Sequence, residues 1–366
     1  MAKDPSRPHL LNLDRLQLQT LLTERFAAKP YAAKQIISWA HQSRCLDFMQ
    51  MSNVSLKLRH QLHAYFDTTC MTQLRFEECQ DQTIKWQFEV GPKLAIETVY
   101  IPEPKRATLC VSSQVGCALA CQFCATGDQG WHKNLHAHQI IGQVWQASQW
   151  LSENRPSYPA ITNIVFMGMG EPLLNEKAVH TTLNLLLDDH AYGLSKYRVT
   201  VSTSGIIPAM ERLKSISPCA LAVSLHAGED ILRNQIVPIN QKFPLKSLMA
   251  TCRNYFANDP KRSVTFEYVM LDQVNDQPEH LKDLLRCIQG IRCKINLIPF
   301  NPYQGSRFKP SKSNTILSFQ AGLKKHGYVT TIRKERGQSI QGACGQLFDT
   351  NQQDTGVQIA KKRHHQ

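Results

Sequence analysis

Long apolar segments are absent from this sequence. No uninterrupted apolar run reaches the roughly 18 residues that a membrane-spanning helix needs. Residues 1–15 also lack the continuous apolar core of a secretory signal. There is no low-complexity segment and no short internal repeat, which excludes fibrous proteins and chains that are disordered over most of their length. These absences predict a globular, cytoplasmic protein with no membrane partner.

Acidic residues are scarce relative to basic ones. The 366 residues include 42 Lys and Arg but only 29 Asp and Glu, a formal net charge of +13. Such a surplus favours polyanionic partners, of which nucleic acid is the commonest. A basic enzyme with no such partner is the alternative. Hydrophobic residues make up 42% of the chain, enough for a sizeable core in one large domain or two ordinary ones.

The N-terminal part, residues 1–69, has the apolar spacing of helices. We predict helices over residues 10–26, 30–42 and, after a cap at Asn53 or Ser55, up to residue 65. The region is partly basic. A small helical domain that contacts RNA and a purely structural N-terminal cap both fit this pattern.

Residues 70–104 change to a strand pattern. Residues 83–90 and 93–101 flank a Gly-Pro turn and predict a β-hairpin that links the helical region to the rest of the chain.

Residues 105–350 alternate between strand-like and helix-like segments. The strand-like segments are residues 108–115, 161–167, 197–202, 220–225, 264–271 and 294–300. The helix-like segments are residues 137–151, 176–188, 207–216 and 277–289, with more than one helix over 227–260. This alternation predicts a parallel α/β architecture, in which an open six-strand barrel and a doubly wound sheet look alike. Residues 351–366 form a basic polar tail.

Three closely spaced cysteines follow the first strand of this region. Cys117, Cys121 and Cys124 have the spacing CxxxCxxC. Three thiolates suit iron–sulfur chemistry and can bind three irons of a cubane cluster, leaving the fourth iron open to a small molecule. The same spacing also fits buried cysteines on one helix face, or a zinc site completed by a distant ligand.

This spacing after a first strand resembles the signature of the radical S-adenosylmethionine (SAM) superfamily. The resemblance implies an α/β fold with a partial (β/α)6 barrel. It also implies a [4Fe-4S] cluster on Cys117, Cys121 and Cys124, whose open iron binds the amino and carboxylate groups of S-adenosylmethionine.

Most of the predicted strands end in polar or small residues. In a parallel α/β barrel these C-terminal ends form one rim, where chemistry gathers. Taken singly, such residues are also typical of turns, helix caps and structural histidines. The resemblance assigns Gly170 and Glu171 to the methionine end of the cofactor. It assigns the remainder of the cofactor to Ser202, Ser224, Leu225, His226 and Asn301.

Three further residues narrow the family. Cys344 lies between glycines near the end of the chain, Cys110 lies on the first strand, and Glu97 lies in the hairpin. Singly, Cys110 is typical of a buried thiol and Glu97 of a solvent-facing strand residue. The set resembles the adenine-C2 methyltransferases of ribosomal and transfer RNA. The matching segments are residues 29–31, 51–53, 111–117, 168–173, 202–205, 237–240 and 343–345.

The resemblance implies a reaction that uses two S-adenosylmethionine molecules per turnover. The first methylates Cys344, and the second yields a 5′-deoxyadenosyl radical that takes a hydrogen from that methyl group. The carbon radical then adds to adenine C2, and Glu97 removes the C2 proton. Cys110 attacks the Cys344 sulfur and leaves a Cys110–Cys344 disulfide, so these two cysteines are expected to meet in space.

The resemblance also implies partners: 23S ribosomal RNA, tRNA and a flavodoxin-like electron donor, with the chain acting as a monomer. An adenine-C8 methyltransferase of the same branch would share the cluster, Cys344 and Cys110. A zinc-containing RNA-binding protein without catalysis is the alternative from another class. A brown colour would argue against this alternative, because a zinc site is colourless. A measurement of iron content also distinguishes the two.

Overall fold

The chain begins with a helical region. In the computed structural model, which describes residues 7–334 and 336–347, its helices are α1 (Arg15–Phe26), α2 (Tyr31–Ile37) and α3 (Leu56–Tyr65). The first helix starts later than predicted because Asp14 caps it, in a reciprocal capping box with Gln17. The second continues as a π-helical turn to Gln42, and Ser55 caps the third. The predicted tail, residues 351–366, lies outside the described residues.

A short antiparallel extension follows. It consists of β1 (Gln73–Glu78), β2 (Ile84–Gly91) and β3 (Leu94–Glu103), with β2 in the middle. The predicted hairpin corresponds to β2 and β3 and is confirmed. The first strand was not predicted, because four of its six residues are exposed and give no alternating apolar pattern.

The rest of the chain alternates strands with helices. The strands are β4 (Arg106–Cys110), β5 (Gln114–Gly116), β6 (Trp131–Asn134), β7 (Asn163–Phe166), β8 (Val199–Thr203), β9 (Ala220–Ser224), β10 (Val264–Met270), β11 (Cys293–Pro299) and β12 (Val329–Ile332). The helices are α4 (Ala125–Asp128), α5 (Ala137–Asn154), α6 (Glu176–Leu187), α7 (Ile207–Ile216), α8 (Asp230–Ile236), α9 (Leu245–Tyr255), α10 (Pro278–Cys287) and α11 (Ser313–Lys325).

Ten strands form one sheet in the order β1-β2-β3-β4-β7-β8-β9-β10-β11-β12, while β5 and β6 pair separately. The pairs from β4 to β12 are all parallel. All six predicted strands are present, and β12 adds a seventh. The sheet curves, since Ile101 of β3 and Thr331 of β12 line the same cavity of about 680 Å³. Within the described residues β1 and β12 do not pair, so the barrel is partial and open.

The helical region packs on the outside of this barrel. Gln42 Nε2 donates to the Asp189 carbonyl at 2.8 Å, and Trp145 Nε1 of α5 donates to the Ala40 carbonyl at 2.8 Å. Arg15 pairs with Asp188 at 2.6 Å. The contact therefore joins the start of α1 and the end of the second helix to the loop after α6. Among the described residues, no helix has the length and apolarity to cross a membrane.

A buried histidine lies in this contact. His41 is 3% exposed, and its ring stacks at a tilt on Tyr192 with 5.2 Å between centroids. Neither of its ring nitrogens has a hydrogen-bond partner in the described part of the chain. Burial lowers the pKa of His41 to about 4, although the Asp188 carboxylate opposes that shift. His41 is therefore neutral in the folded protein near pH 6.

We predict that His41→Leu reduces the acid sensitivity of folding. The unfolded chain binds a proton at His41 below about pH 6.5, whereas the folded chain does so only near pH 4. Stability is thus lost as the pH falls through this window, by up to about 3 kcal/mol. Chemical denaturation between pH 7 and pH 4.5 measures the effect, with His60→Leu on the exposed face of α3 as control. Equal pH dependence in both variants would contradict the assignment.

Candidate active site

The three clustered cysteines lie on a loop between β5 and α4. Cys117, Cys121 and Cys124 line a cavity of about 130 Å³ at the C-terminal ends of the parallel strands. The Cys117 N–H donates to the Gly130 carbonyl at 2.8 Å. Gly116 has φ +69°, and a Cβ there would lie 1.8 Å from the Gly130 oxygen. Only glycine therefore lets the chain enter the loop along this path.

A buried carboxylate faces the same cavity from the loop after β7. Glu171 is 3% exposed, and its oxygens accept from the Ser204 N–H at 2.8 Å and the Leu173 N–H at 3.2 Å. Burial raises the pKa of Glu171 to about 7, against the opposing effect of the Ser204 hydrogen bond. Gly170 has φ +95°, and a Cβ there would lie 2.4 Å from Gln114 Cβ. An ammonium group would compensate the buried charge.

Most of the other predicted rim residues line this cavity. They are Ser202, Ser224, His226 and Asn301. The Asn301 Oδ1 atom is buried and has no hydrogen-bond partner in the described chain, so it is available to a ligand. Leu225 is not part of the cavity wall: its side chain is fully buried, and its N–H donates to the Glu267 carbonyl at 3.0 Å.

The His226 ring is neutral. Its Nδ1 accepts from the Val269 N–H at 3.0 Å, which leaves the other nitrogen protonated. Burial, followed by the Arg233 charge, lowers the pKa of His226 to about 3. Phe123, from the cysteine loop, packs edge-on against the ring with 4.6 Å between centroids. His226 thus joins the end of β9 to the cysteine loop.

Cys110 and Cys344 are brought into electrostatic contact. The pKa of the Cys110 thiol is raised to about 12, mainly by burial and also by the charge of Cys344, while Arg333 opposes the rise. Burial also disfavours the charge of Arg333, but Cys344, Glu267 and Cys110 together raise its pKa. Cys344 lines both the small cavity and the larger one inside the barrel.

The predicted Cys110–Cys344 disulfide is wrong for this structure. All twelve cysteines are free, including these two. Arg333 hydrogen-bonds the Cys344 side chain, and both thiols interact with its charge instead of bonding to each other.

Glu97 is buried, not exposed as its strand position suggested. It is 1% exposed, and Lys85 Nζ of β2 lies 2.9 Å from its Oε1. Lys85 also pairs with Glu77 at 3.2 Å. Glu97 and Cys110 lie on the same face of the sheet, because Val99 pairs with Cys110 in the register of β3 and β4. Neither residue lines the small cavity beside the cysteine loop or the larger one inside the barrel.

Comparison with known proteins decides the family. Residues 8–67 match the model of the ribosomal RNA large subunit methyltransferase N-terminal domain, and residues 111–285 match that of the radical SAM superfamily. The crystal structure of a radical SAM methyltransferase from Sphaerobacter thermophilus is 38% identical, with a TM-score of 0.86. The match covers 93% of this chain and 99% of that one. The chain belongs to the radical SAM methyltransferases.

Two more distant structures resemble parts of this methyltransferase. A domain of pyruvate-formate lyase-activating enzyme from Bacteroides vulgatus is 15% identical, covering 47% of this chain and 99% of that one, with a TM-score of 0.36. SuiB from Streptococcus suis, bound to S-adenosylmethionine, is 12% identical, covering 65% and 53%, with a TM-score of 0.44. At these TM-scores neither likeness bears on fold or function.

A radical SAM methyltransferase uses a [4Fe-4S] cluster and S-adenosylmethionine, and the side chains of this cavity fit both. Burial raises the pKa of Cys117 to about 12 and raises those of Cys121 and Cys124 as well, so bound iron is needed to keep the thiolates charged. Across residues 7–334 and 336–347, no three His, Cys, Asp or Glu side chains converge on a single ion site. A cubane does not require this, because each thiolate binds a different iron. The interpretation as a non-catalytic zinc protein has no support in this family.

The methyltransferase site depends on an arginine that the sequence did not reveal. Arg233 of α8 is fully buried and donates to the carbonyls of Ser204 at 2.9 Å, Ser224 at 3.0 Å and Leu225 at 3.0 Å. It also donates to Asn240 Oδ1 at 2.6 Å. The guanidinium group thereby fixes the ends of β8 and β9. Its position on a short helix gave no periodic or motif signal.

We predict that Arg233→Lys destabilises the methyltransferase by about 2–4 kcal/mol, because an ammonium group cannot reproduce the planar fork and leaves buried carbonyls unpaired. The matched control is Arg212→Lys, whose solvent-exposed pair with Glu176 at 2.7 Å should contribute little to stability. Urea denaturation and iron retention after reconstitution are the measurements. Equal stability of the two variants would refute the role of Arg233.

Proposed function

We propose that this methyltransferase methylates carbon 2 of adenine in 23S ribosomal RNA and in tRNA. The observation that carries the proposal is the position of Cys344. It borders the cavity lined by the cluster cysteines on one side and the cavity inside the barrel on the other. A methyl group on its sulfur would lie between a cofactor in the first cavity and a substrate base in the second.

Adenine C2 requires an unusual route. The carbon lies between two ring nitrogens, is electron-poor and does not attack a sulfonium methyl. When bound, the cluster supplies an electron that cleaves S-adenosylmethionine to a radical. Glu171 would accept hydrogen bonds from the ammonium group of S-adenosylmethionine, with Gly170 allowing close approach of the backbone. Ser202, Ser224, His226 and Asn301 would contact the remainder, and Leu225 would hold its neighbours Ser224 and His226 in place.

Cys344 would accept a methyl group from one S-adenosylmethionine and present it while a second is consumed. Arg333 beside it would offset negative charge at the Cys344 sulfur. Glu97, which is buried with its Oε1 2.9 Å from Lys85 Nζ and lines neither cavity, would have to be uncovered by the bound RNA before it could remove the C2 proton. The Cys110 thiol would assist release of the product from Cys344.

The proposal also assigns a role to each of the other segments of the chain. Residues 1–69 would contact RNA, because residues 8–67 match a domain of ribosomal RNA methyltransferases. Residues 70–104 would extend the sheet, residues 105–350 would form the catalytic core and residues 351–366 a basic tail. A flavodoxin-like protein would supply electrons, and the enzyme would act as a cytoplasmic monomer.

Nucleoside mass spectrometry tests the proposal. Enzyme reconstituted without oxygen is incubated with S-adenosylmethionine, a reductant and unmodified ribosomal and transfer RNA. We expect 2-methyladenosine in both RNAs. Formation of 8-methyladenosine would favour the adenine-C8 alternative, which would use the same cluster, Cys344 and Cys110. Iron-loaded enzyme that forms neither product would refute the proposal.

We predict opposite effects of the two site cysteines. Cys344→Ala abolishes turnover, since the methyl carrier is lost. Cys110→Ala leaves RNA covalently attached to Cys344, since release fails. Purified protein is examined on denaturing gels for a nuclease-sensitive shift, and the matched control is Cys70→Ala at an exposed cysteine. A Cys110→Ala preparation without bound RNA would show that release does not need this thiol.

A further inference from the structure

The larger cavity inside the barrel has a strongly basic wall. Its described lining contains seven basic residues and two acidic ones. The basic residues are Arg106, Lys261, Arg262, Lys294, Arg333, Lys334 and Arg336, and the acidic residues are Glu103 and Glu267. The smaller cavity beside the cysteine loop has Arg333 as its only Lys or Arg among the described lining residues. The positive charge is therefore concentrated away from the cluster cysteines.

Several of these charges are already compensated. Arg106 pairs with Glu103, and Arg333 interacts with Glu267. Arg262 donates to the Cys219 carbonyl and lies 4.0 Å from the centre of the Phe256 ring. No ion pair involves Lys261 or Lys294 in the described part of the chain, and both are exposed. These two ammonium groups are available to an anion from solution.

The two lysines lie at the entrance furthest from the cysteine loop. Lys261 precedes β10, and Lys294 is the second residue of β11, so both lie at the N-terminal ends of the parallel strands. Tyr197, which precedes β8, lines the same entrance and is 57% exposed. We call Tyr197, Lys261 and Lys294 the basic mouth. From there the cavity continues to Arg333 and Cys344.

We propose that the basic mouth binds the phosphates of the RNA substrate, so that the adenine reaches Cys344 through the larger cavity while S-adenosylmethionine occupies the smaller one. This inference rests on the proposed function. Ammonium groups bind phosphates, and an exposed tyrosine offers a face on which an unpaired base stacks. The volume of about 680 Å³ lies within the range of cavities that enclose small molecules, which suits an extruded nucleotide.

The test is the salt dependence of RNA binding by the cluster-reconstituted full chain. In K261A/K294A the slope of log affinity against log salt should fall by about 1.4, because each contact to single-stranded RNA contributes roughly 0.7. Affinity at moderate salt should fall roughly tenfold. With a chemical reductant, KM for RNA should rise while kcat stays unchanged. The probe is an unmodified fragment of 23S ribosomal RNA, measured by fluorescence anisotropy.

A matched control removes the same charge elsewhere. K246A/K282A alters two exposed lysines on α9 and α10 that are absent from both cavity walls. It should retain the wild-type slope and KM. Tyr197→Leu should weaken binding roughly fivefold without changing the slope, and Tyr197→Phe should retain binding, because stacking needs only the ring.

The outcomes separate this inference from the proposed function. If the salt dependence of RNA binding differs between wild type and K261A/K294A as predicted but wild type forms no methyladenosine, RNA binding at the basic mouth is supported and the proposed function is refuted. If wild-type enzyme modifies RNA and K261A/K294A matches it in slope and KM, the basic mouth is refuted and the function stands. If the variant loses turnover only with a flavodoxin-like protein and not with a chemical reductant, the surface serves the electron donor, and RNA binding there is refuted.

Discussion

The buried hydrogen bonds of Arg233 fix the geometry on which the rest of the site depends. Parallel strands end in carbonyl groups that the sheet itself does not satisfy at its rim, and Arg233 satisfies three of them. Arg233 binds the carbonyl of Ser204, and this leaves the N–H of Ser204 pointing at the Glu171 carboxylate. The Glu171 N–H in turn donates to Gln114 at 2.8 Å, on the strand that leads into the cysteine loop. A continuous polar network thus connects two strand ends, the carboxylate and the cysteine loop.

Much of this architecture could be predicted from the sequence, and the failures have physical causes. The six predicted parallel strands are apolar enough to be recognised, whereas β12 is not, since Val329 and Thr331 are exposed. The spacing of Cys117, Cys121 and Cys124 is a local signal, and the structure places all three in the wall of one cavity. The assignment of Leu225 to the cofactor follows from its place in a motif and stays a prediction, while its side chain lies in the core.

Long-range pairing is what the sequence could not reveal. Lys85 meets Glu97 because the register of β2 and β3 places them close together, whereas the strand position of Glu97 taken alone is equally typical of a solvent-facing residue. Arg333 meets Cys344 and Cys110 only after the barrel has formed. The Cys110–Cys344 disulfide was expected as the result of product release, whereas both thiols are free in the structure. The sequence motifs therefore indicated that Cys110 and Cys344 lie close together, but not that both interact with Arg333 as free thiols.

The electrostatics around Arg333 offer an account of how the Cys110 thiol could be kept unreactive until it is needed. Burial raises the pKa of Cys110, the charge of Cys344 adds to this effect, and Arg333 opposes it. In the proposed reaction Cys344 carries a methyl group, and a thioether has no negative charge. A methyl group on Cys344 would leave burial, the largest cause of the raised Cys110 pKa, in place. Release of the product through Cys110 would therefore depend on Arg333 and on the Met167 backbone, the two groups that lower the pKa of this thiol.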